Sequence, residues 1–167
     1  MNLFWYLIRP LYAVALIPAA LLFVVVMANA SKDPEITLVV SIVGLVLAAL
    51  AVLIFSVIPR AFKTRLHRIV NEAAPGMRCD FEATSSLLNR YVGFDRSAKK
   101  LVYVDISDGT RAVLDFPDVN AWHVETVPGK PALLNLMTSV AELPLIGVPF
   151  DRRYSNELMA KLTASFG

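Results

Sequence analysis

The chain opens with two long apolar runs that contain no charge. The first, LYAVALIPAALLFVVVMANA, fills positions 11–30; the second, ITLVVSIVGLVLAALAVLIFSVI, fills positions 36–58. A helix rises about 1.5 Å per residue, so about 20 residues cross a hydrocarbon layer of about 30 Å. Both runs therefore read as membrane-spanning helices. Lipid offers the backbone no hydrogen-bond partners, which enforces the helical state. The five residues SKDPE between them read as a tight polar turn, with Pro34 and the charges as the break. A cleaved leader is the competing reading of the first run, and the ANA at 28–30 imitates a cleavage site. Against it, the apolar core exceeds the roughly 7–15 residues of a leader.

Beyond Ile58 the pattern changes twice. In residues 60–76, Phe62, Leu66, Ile69, Val70 and Ala73 recur at helical spacing, with Arg60, Lys63, His67 and Asn71 on the other face. Pro59 marks the expected end of the second span. This predicts a basic amphipathic segment beside the membrane, with Arg60, Lys63, Arg65 and Arg68 at its surface. Near an anionic leaflet each such cation contributes about 1 kcal/mol. The plainer reading is a connector whose charges only set topology.

From Met77 onward, short alternating runs are separated by turn residues. Seven strands are expected, over 77–83, 87–94, 100–106, 110–116, 119–127, 132–140 and 143–150. In TRAVLDF, Ala112, Leu114 and Phe116 share one face; in VNAWHVETV, Trp122 and Val124 do. Asp108-Gly109 signals a two-residue hairpin, and DRSAKK (95–100) a longer one. After Phe150 the period turns helical: Tyr154, Leu158, Leu162 and Phe166 align, with Asp151 or Ser155 as cap.

The stretches YVGFDRSAKKLVYVD, LDFPDVNAWHVE and AELPLIGVPF followed by SNELMAKLTASF resemble the hairpin, strand entry and closing helix of small bacterial pleckstrin-homology-like (PH-like) domains. The resemblance covers about residues 77–167. It implies an α+β membrane protein: a transmembrane helical hairpin (1–59), a basic juxtamembrane linker (60–76) and a seven-stranded antiparallel barrel or sheet capped by the C-terminal helix. The competing fold is an open antiparallel sheet with one packed helix. Two spans ahead of such a domain also resemble a bacterial two-span membrane family. The longer strand motifs of that family are missing here, so only its architecture carries over.

Charge supplies the orientation. Only 18% of residues are charged and 56% are hydrophobic, whereas soluble domains carry about 25% charge. Lys32 is the one cation of the turn; Arg9, Arg60, Lys63, Arg65 and Arg68 flank the other ends. Cations near span ends favour the cytoplasm, so both termini are expected there, in a bacterial inner membrane. The aromatic FWY at 4–6 and Tyr12 suit the inner interface. The single cysteine, Cys79, excludes an intrachain disulfide and reads as a half-buried strand residue.

No phosphate loop, paired-cysteine motif or hydrolase elbow is present in the sequence, so no enzyme, metal or cofactor is expected. Three roles fit. The first is a membrane-anchored interaction module, an accessory or inhibitory protein on a machine such as a conjugation or secretion apparatus, as in entry exclusion. The second is lipid-headgroup binding through Arg96, Lys99 and Lys100. Against it, residues 69–167 hold ten Lys/Arg and twelve Asp/Glu. The third is assembly through the spans, where Ala15, Ala19, Gly44 and Ala48 have the small-residue spacing that lets helices approach, within one hairpin or a homo-oligomer. Lipid and a membrane or cytoplasmic protein are the expected partners. Nucleic acid is not, since no basic stripe with interleaved aromatics exists.

Overall fold

The computed structural model describes residues 2–29 and 34–166. It is an α+β chain that divides into two compact units, residues 1–62 and 63–167. Ser31, Lys32 and Asp33 of the expected turn lie outside the described residues, as do the side chains of Trp5 and Tyr6 from the expected aromatic belt.

The first unit is built from α1 (Asn2–Ala28) and α2 (Pro34–Val52). Both are long and apolar enough to cross a membrane. They share a seam. Tyr12, Leu16, Ala19 and Phe23 are partly buried on α1, and Thr37, Val40, Ser41, Gly44, Leu47 and Ala51 on α2, while the other residues between them are exposed. Steps of three and four average the 3.5-residue repeat of knobs-into-holes packing. Leu11 and Leu45, off the seam, are 70% and 72% exposed. The Tyr12 hydroxyl donates to the Leu47 carbonyl, and the Arg9 guanidinium lies 5.2 Å from the centre of the Phe55 ring.

Pro59 does not end the second helix. A π-helical turn over Leu53–Val57 joins α2 to α3 (Ile58–Ala73), so the helical run is continuous from Pro34 to Ala73. Proline lacks an N–H and its ring collides with the carbonyl four residues back. The widened turn, in which the Ile58 N–H bonds the Leu53 carbonyl, ends just before it and absorbs the misfit.

The second unit carries two antiparallel sheets. Sheet A has the order β1 (Phe81–Thr84), β2 (Arg90–Asp95), β3 (Lys100–Asp105), β4 (Thr110–Asp115). Sheet B has the order β5 (Val119–Glu125), β6 (Ala132–Thr138), β7 (Leu145–Phe150). All seven expected strands form, several of them shorter than expected. β1 begins at Phe81, so Cys79 precedes the strand instead of lying in it. β2 begins at Arg90 because the Ser85 hydroxyl accepts from the Asn89 and Arg90 N–H groups and closes a turn. The β3–β4 loop spans 106–109, since Asp105 pairs with Thr110. Only Gly109 there has positive φ, so the two-residue hairpin does not form.

The main core lies between the sheets. Val92, Phe94, Leu101 and Leu114 of sheet A meet Leu134, Leu136, Ile146 and Val148 of sheet B. Helix α4 (Ser155–Phe166) closes it with Leu158, Leu162 and Phe166; a short 3-10 turn capped by Asp151 precedes the helix. The Phe81 and Phe94 rings stack at 4.6 Å, and Phe166 packs on Phe116 at 4.6 Å.

A second core occupies the other face of sheet A. Leu66, Ile69 and Val70 of α3 pack on Tyr91, Val102 and Val104. This explains why β2 and β3 are buried at nearly every position: inward residues meet sheet B and outward ones meet α3. Within residues 60–76, the apolar positions Leu66, Ile69, Val70 and Ala73 are thus covered by sheet A. His67 is only partly exposed, with its ring edge-on to Tyr91 at 5.8 Å. Burial of each such aliphatic side chain contributes about 1.5–3 kcal/mol.

Leu66 is 0% exposed. Leu66→Ala is therefore expected to destabilise the second unit by about 2–5 kcal/mol, while Arg65→Ala next to it stays within about 0.5 kcal/mol. Thermal unfolding of the purified chain followed by near-UV circular dichroism measures both.

Candidate functional site

Three groups of residues singled out in the sequence occupy defined places. On α3, Arg60, Lys63, Arg65 and Arg68 are all exposed, arrayed around the arc that Leu66, Ile69 and Val70 leave open. Arg68 pairs with Glu72 at 3.8 Å, and Glu72 also meets Arg111 of β4 at 3.5 Å. The second contact ties helix to sheet beside the apolar packing. Both pairs are exposed and contribute little each.

The β2–β3 loop holds Arg96, Lys99 and Lys100 in a shaped hairpin. The Asp95 carboxylate accepts from the Ser97 hydroxyl (2.6 Å) and the Ala98 N–H (2.9 Å), and from the Arg78 N–H at 3.0 Å. These bonds hold its pKa below the ordinary carboxylate value, Ser97 contributing most. Asp80 accepts from the Arg96 N–H, Lys99 takes φ of 51°, and Lys100 pairs with Asp115 at 3.8 Å. The three cations thus share their surroundings with Asp80, Asp95 and Asp115. The loop is held by several hydrogen bonds, and its cations stand among carboxylates.

In the hairpin, an added Cβ on Gly44 would stand 2.9 Å from the Phe23 ring. Gly44 therefore admits an aromatic ring from α1. Ala19 is partly buried, whereas Ala15 and Ala48 are exposed.

A polar cluster on the outer face of sheet A left no mark in the sequence pattern. The Tyr91 hydroxyl donates to Glu82 Oε2 at 2.8 Å and is hydrogen-bonded with Cys79. Burial raises the pKa of both groups, so at neutral pH each keeps its proton. The thiolate is the nucleophilic form of cysteine, and burial disfavours it here. Both side chains fold over Gly93, where an added Cβ would come 2.5 Å from Cys79 Sγ and 2.7 Å from the Tyr91 oxygen. A residue before a strand lying over a glycine within the next strand leaves no periodic trace.

A third fixed point is Arg90. Its Nε meets the buried Asp105 carboxylate at 2.6 Å and its Nη1 donates to the Gly147 carbonyl at 3.1 Å, joining sheet A to β7. Burial, with Asp105 nearby, pushes the Tyr103 hydroxyl up to about 12. Among the described residues no group of three or more His, Cys, Asp or Glu is placed to hold a metal ion. His123 is exposed on edge strand β5.

Two outcomes follow. Gly93→Ala is expected to destabilise the unit by about 1–3 kcal/mol, and Cys79→Ala to restore part of that, in denaturant titrations of single and double variants. The Asp95 contribution is full above its ordinary value of 3.8 and is lost as pH falls through the depressed folded value. Asp95→Asn should therefore flatten the acid limb of the stability–pH curve below about pH 4 and lower stability at neutral pH.

Comparison of the chain with protein-family models, curated proteins and solved structures returned no match.

Proposed function

We propose that this protein is a membrane-anchored interaction module. In this reading α1 and α2 span a bacterial inner membrane as a hairpin, both termini face the cytoplasm, and the unit from Lys63 onward is a PH-like domain. The observation that carries it is the surface of the hairpin. Off the shared seam, α1 and α2 expose leucine, valine and isoleucine all round. A hydrocarbon solvent satisfies such a surface and water does not. The PH-like part rests on the order of four strands, three strands and one closing helix, and on the way α4 seats Leu158 and Leu162 in the core between the sheets.

The module acts by binding a protein, as an accessory or inhibitory partner of a membrane machine such as a secretion or conjugation apparatus. Two observations favour protein over lipid headgroups. Lys100 of the 95–100 loop pairs with Asp115, and Asp80 and Asp95 place two further carboxylates at the loop through bonds from the Arg96 N–H and the Ser97 hydroxyl. Sheet B also presents large apolar side chains, Met137 and Leu145, on its outer face. Anchoring raises the local concentration of the domain near other membrane proteins, which adds avidity without new contacts.

Topology and partner are tested separately. In a Cys79→Ala background, a membrane-impermeant maleimide is expected to label Lys32→Cys in intact spheroplasts, and Ser97→Cys only after permeabilisation. The reverse pattern contradicts the orientation. Photoreactive residues at Ser97 and His123, activated in intact membranes, are expected to capture one dominant protein; adducts with lipid alone contradict the module reading.

A further inference from the structure

Strand β1 borders sheet A and, among the described residues, pairs with β2 alone. The Ser85 N–H bonds the Arg90 carbonyl, and Phe81 and Ala83 lie opposite Phe94 and Val92. Hydrogen-bonded pairs alternate along an antiparallel ladder. Glu82 and Thr84 therefore turn their backbone N–H and C=O groups away from β2, where among the described residues no strand pairs with them, although β7 and α4 lie near β1.

A groove runs along that edge within the second unit. It has two contiguous sections, of 290 and 360 Å³, which share Glu82 and Tyr154. β1 forms one wall, and Phe150 and Leu158 line the other side. Tyr154 stands between the sections and is 60% exposed. Four carboxylates border the groove, Asp80, Glu82, Asp151 and Glu157, against two ammonium groups, Lys63 and Lys161. Lys161 is already paired with Glu157.

We propose that this edge takes an extended, Lys/Arg-rich segment of a partner protein as an added strand beside β1. The proposal rests on the interaction-module reading and gives the chemistry of its partner. A free sheet edge supplies main-chain bonds to any extended peptide, and side chains at alternate positions then set specificity. The charge around the groove favours a cationic segment, and Tyr154 offers an aromatic anchor of the kind that dominates interfaces. At about 3.3 Å per residue, positions 80–84 match about five residues of peptide. Cytoplasmic flanks of membrane spans are rich in Lys and Arg, so an anchored domain has such segments beside it in the same membrane.

The test uses the full chain in nanodiscs and three fluorescent peptides: KVRVTVKR, its analogue N-methylated at alternate residues, and the acidic EVEVTVEE. Fluorescence anisotropy is expected to show binding of KVRVTVKR. N-methylation should weaken it by about tenfold or more, the effect of losing backbone hydrogen bonds. Thr84→Pro removes an outward N–H while keeping the ladder to β2, and should weaken it similarly. Glu82→Lys with Glu157→Lys should shift preference to EVEVTVEE. Lack of KVRVTVKR binding, or binding that N-methylation leaves unchanged, overturns the proposal; the N-methyl arm uses the unaltered chain, so it holds even where a variant misfolds. If the edge is unresponsive while Ser97 still crosslinks one protein, the edge proposal fails and the module reading stands. If the peptide binds but no protein is captured from Ser97 or His123, the module reading fails instead.

Discussion

The contact on which the rest of the second unit depends is the seating of Leu66, Ile69 and Val70 on Tyr91, Val102 and Val104. A four-stranded sheet buried on one face only would alternate apolar and polar residues. β2 and β3 do not, because α3 makes their outer face a second core. Once that face is apolar it must be covered, since exposing it would leave a large hydrophobic patch in water. The same contact fixes the polar chemistry at its border. Tyr91 and Cys79 are withdrawn from solvent and keep their protons, Gly93 must remain without a side chain, and His67 rests on the Tyr91 ring.

That contact also decides what the cations of α3 are available for. With the apolar face occupied by sheet A, Arg60, Lys63, Arg65 and Arg68 are the surface the helix presents. An amphipathic helix lying on lipid would bury its apolar face in the bilayer and spread its cations toward the headgroups. Here the packed stripe is held by sheet A, and the exposed cations are what this part of the helix presents. On the β2–β3 loop the charges are mixed: Asp115 of β4 pairs with Lys100, and Asp80, before β1, bonds the Arg96 backbone N–H.

Much of the fold was legible in the sequence. Alternation in TRAVLDF and VNAWHVETV placed Leu114, Phe116 and Val124 inward, and the period of Tyr154, Leu158, Leu162 and Phe166 placed the closing helix. Other features were hidden for physical reasons. An apolar helical stripe has the same spacing whether it meets lipid or a sheet, so the destination of α3 was not readable. The continuous runs YVGF and LVYV did hold the clue, because strands buried on both faces lose their alternation. That the helix runs on through Pro59 was not readable either, because a π-turn can absorb a proline that would otherwise stop a helix. Of the candidate site residues, the loop cations were found at the expected hairpin, but their neutralising acids come from other elements. The edge groove was invisible for the same reason: Glu82, Asp151 and Glu157 are brought together only by the fold.

The central claim is that α3 belongs to the folded unit and not to a lipid surface, and native-state hydrogen exchange tests it most directly. Amides of residues 66–70 in the detergent-solubilised chain, free of anionic lipid, are expected to open with the same free energy as those of Val102 and Val104, as members of one cooperative unit. Helix amides that exchange well before the sheet, and gain protection only when anionic lipid is added, would contradict the account.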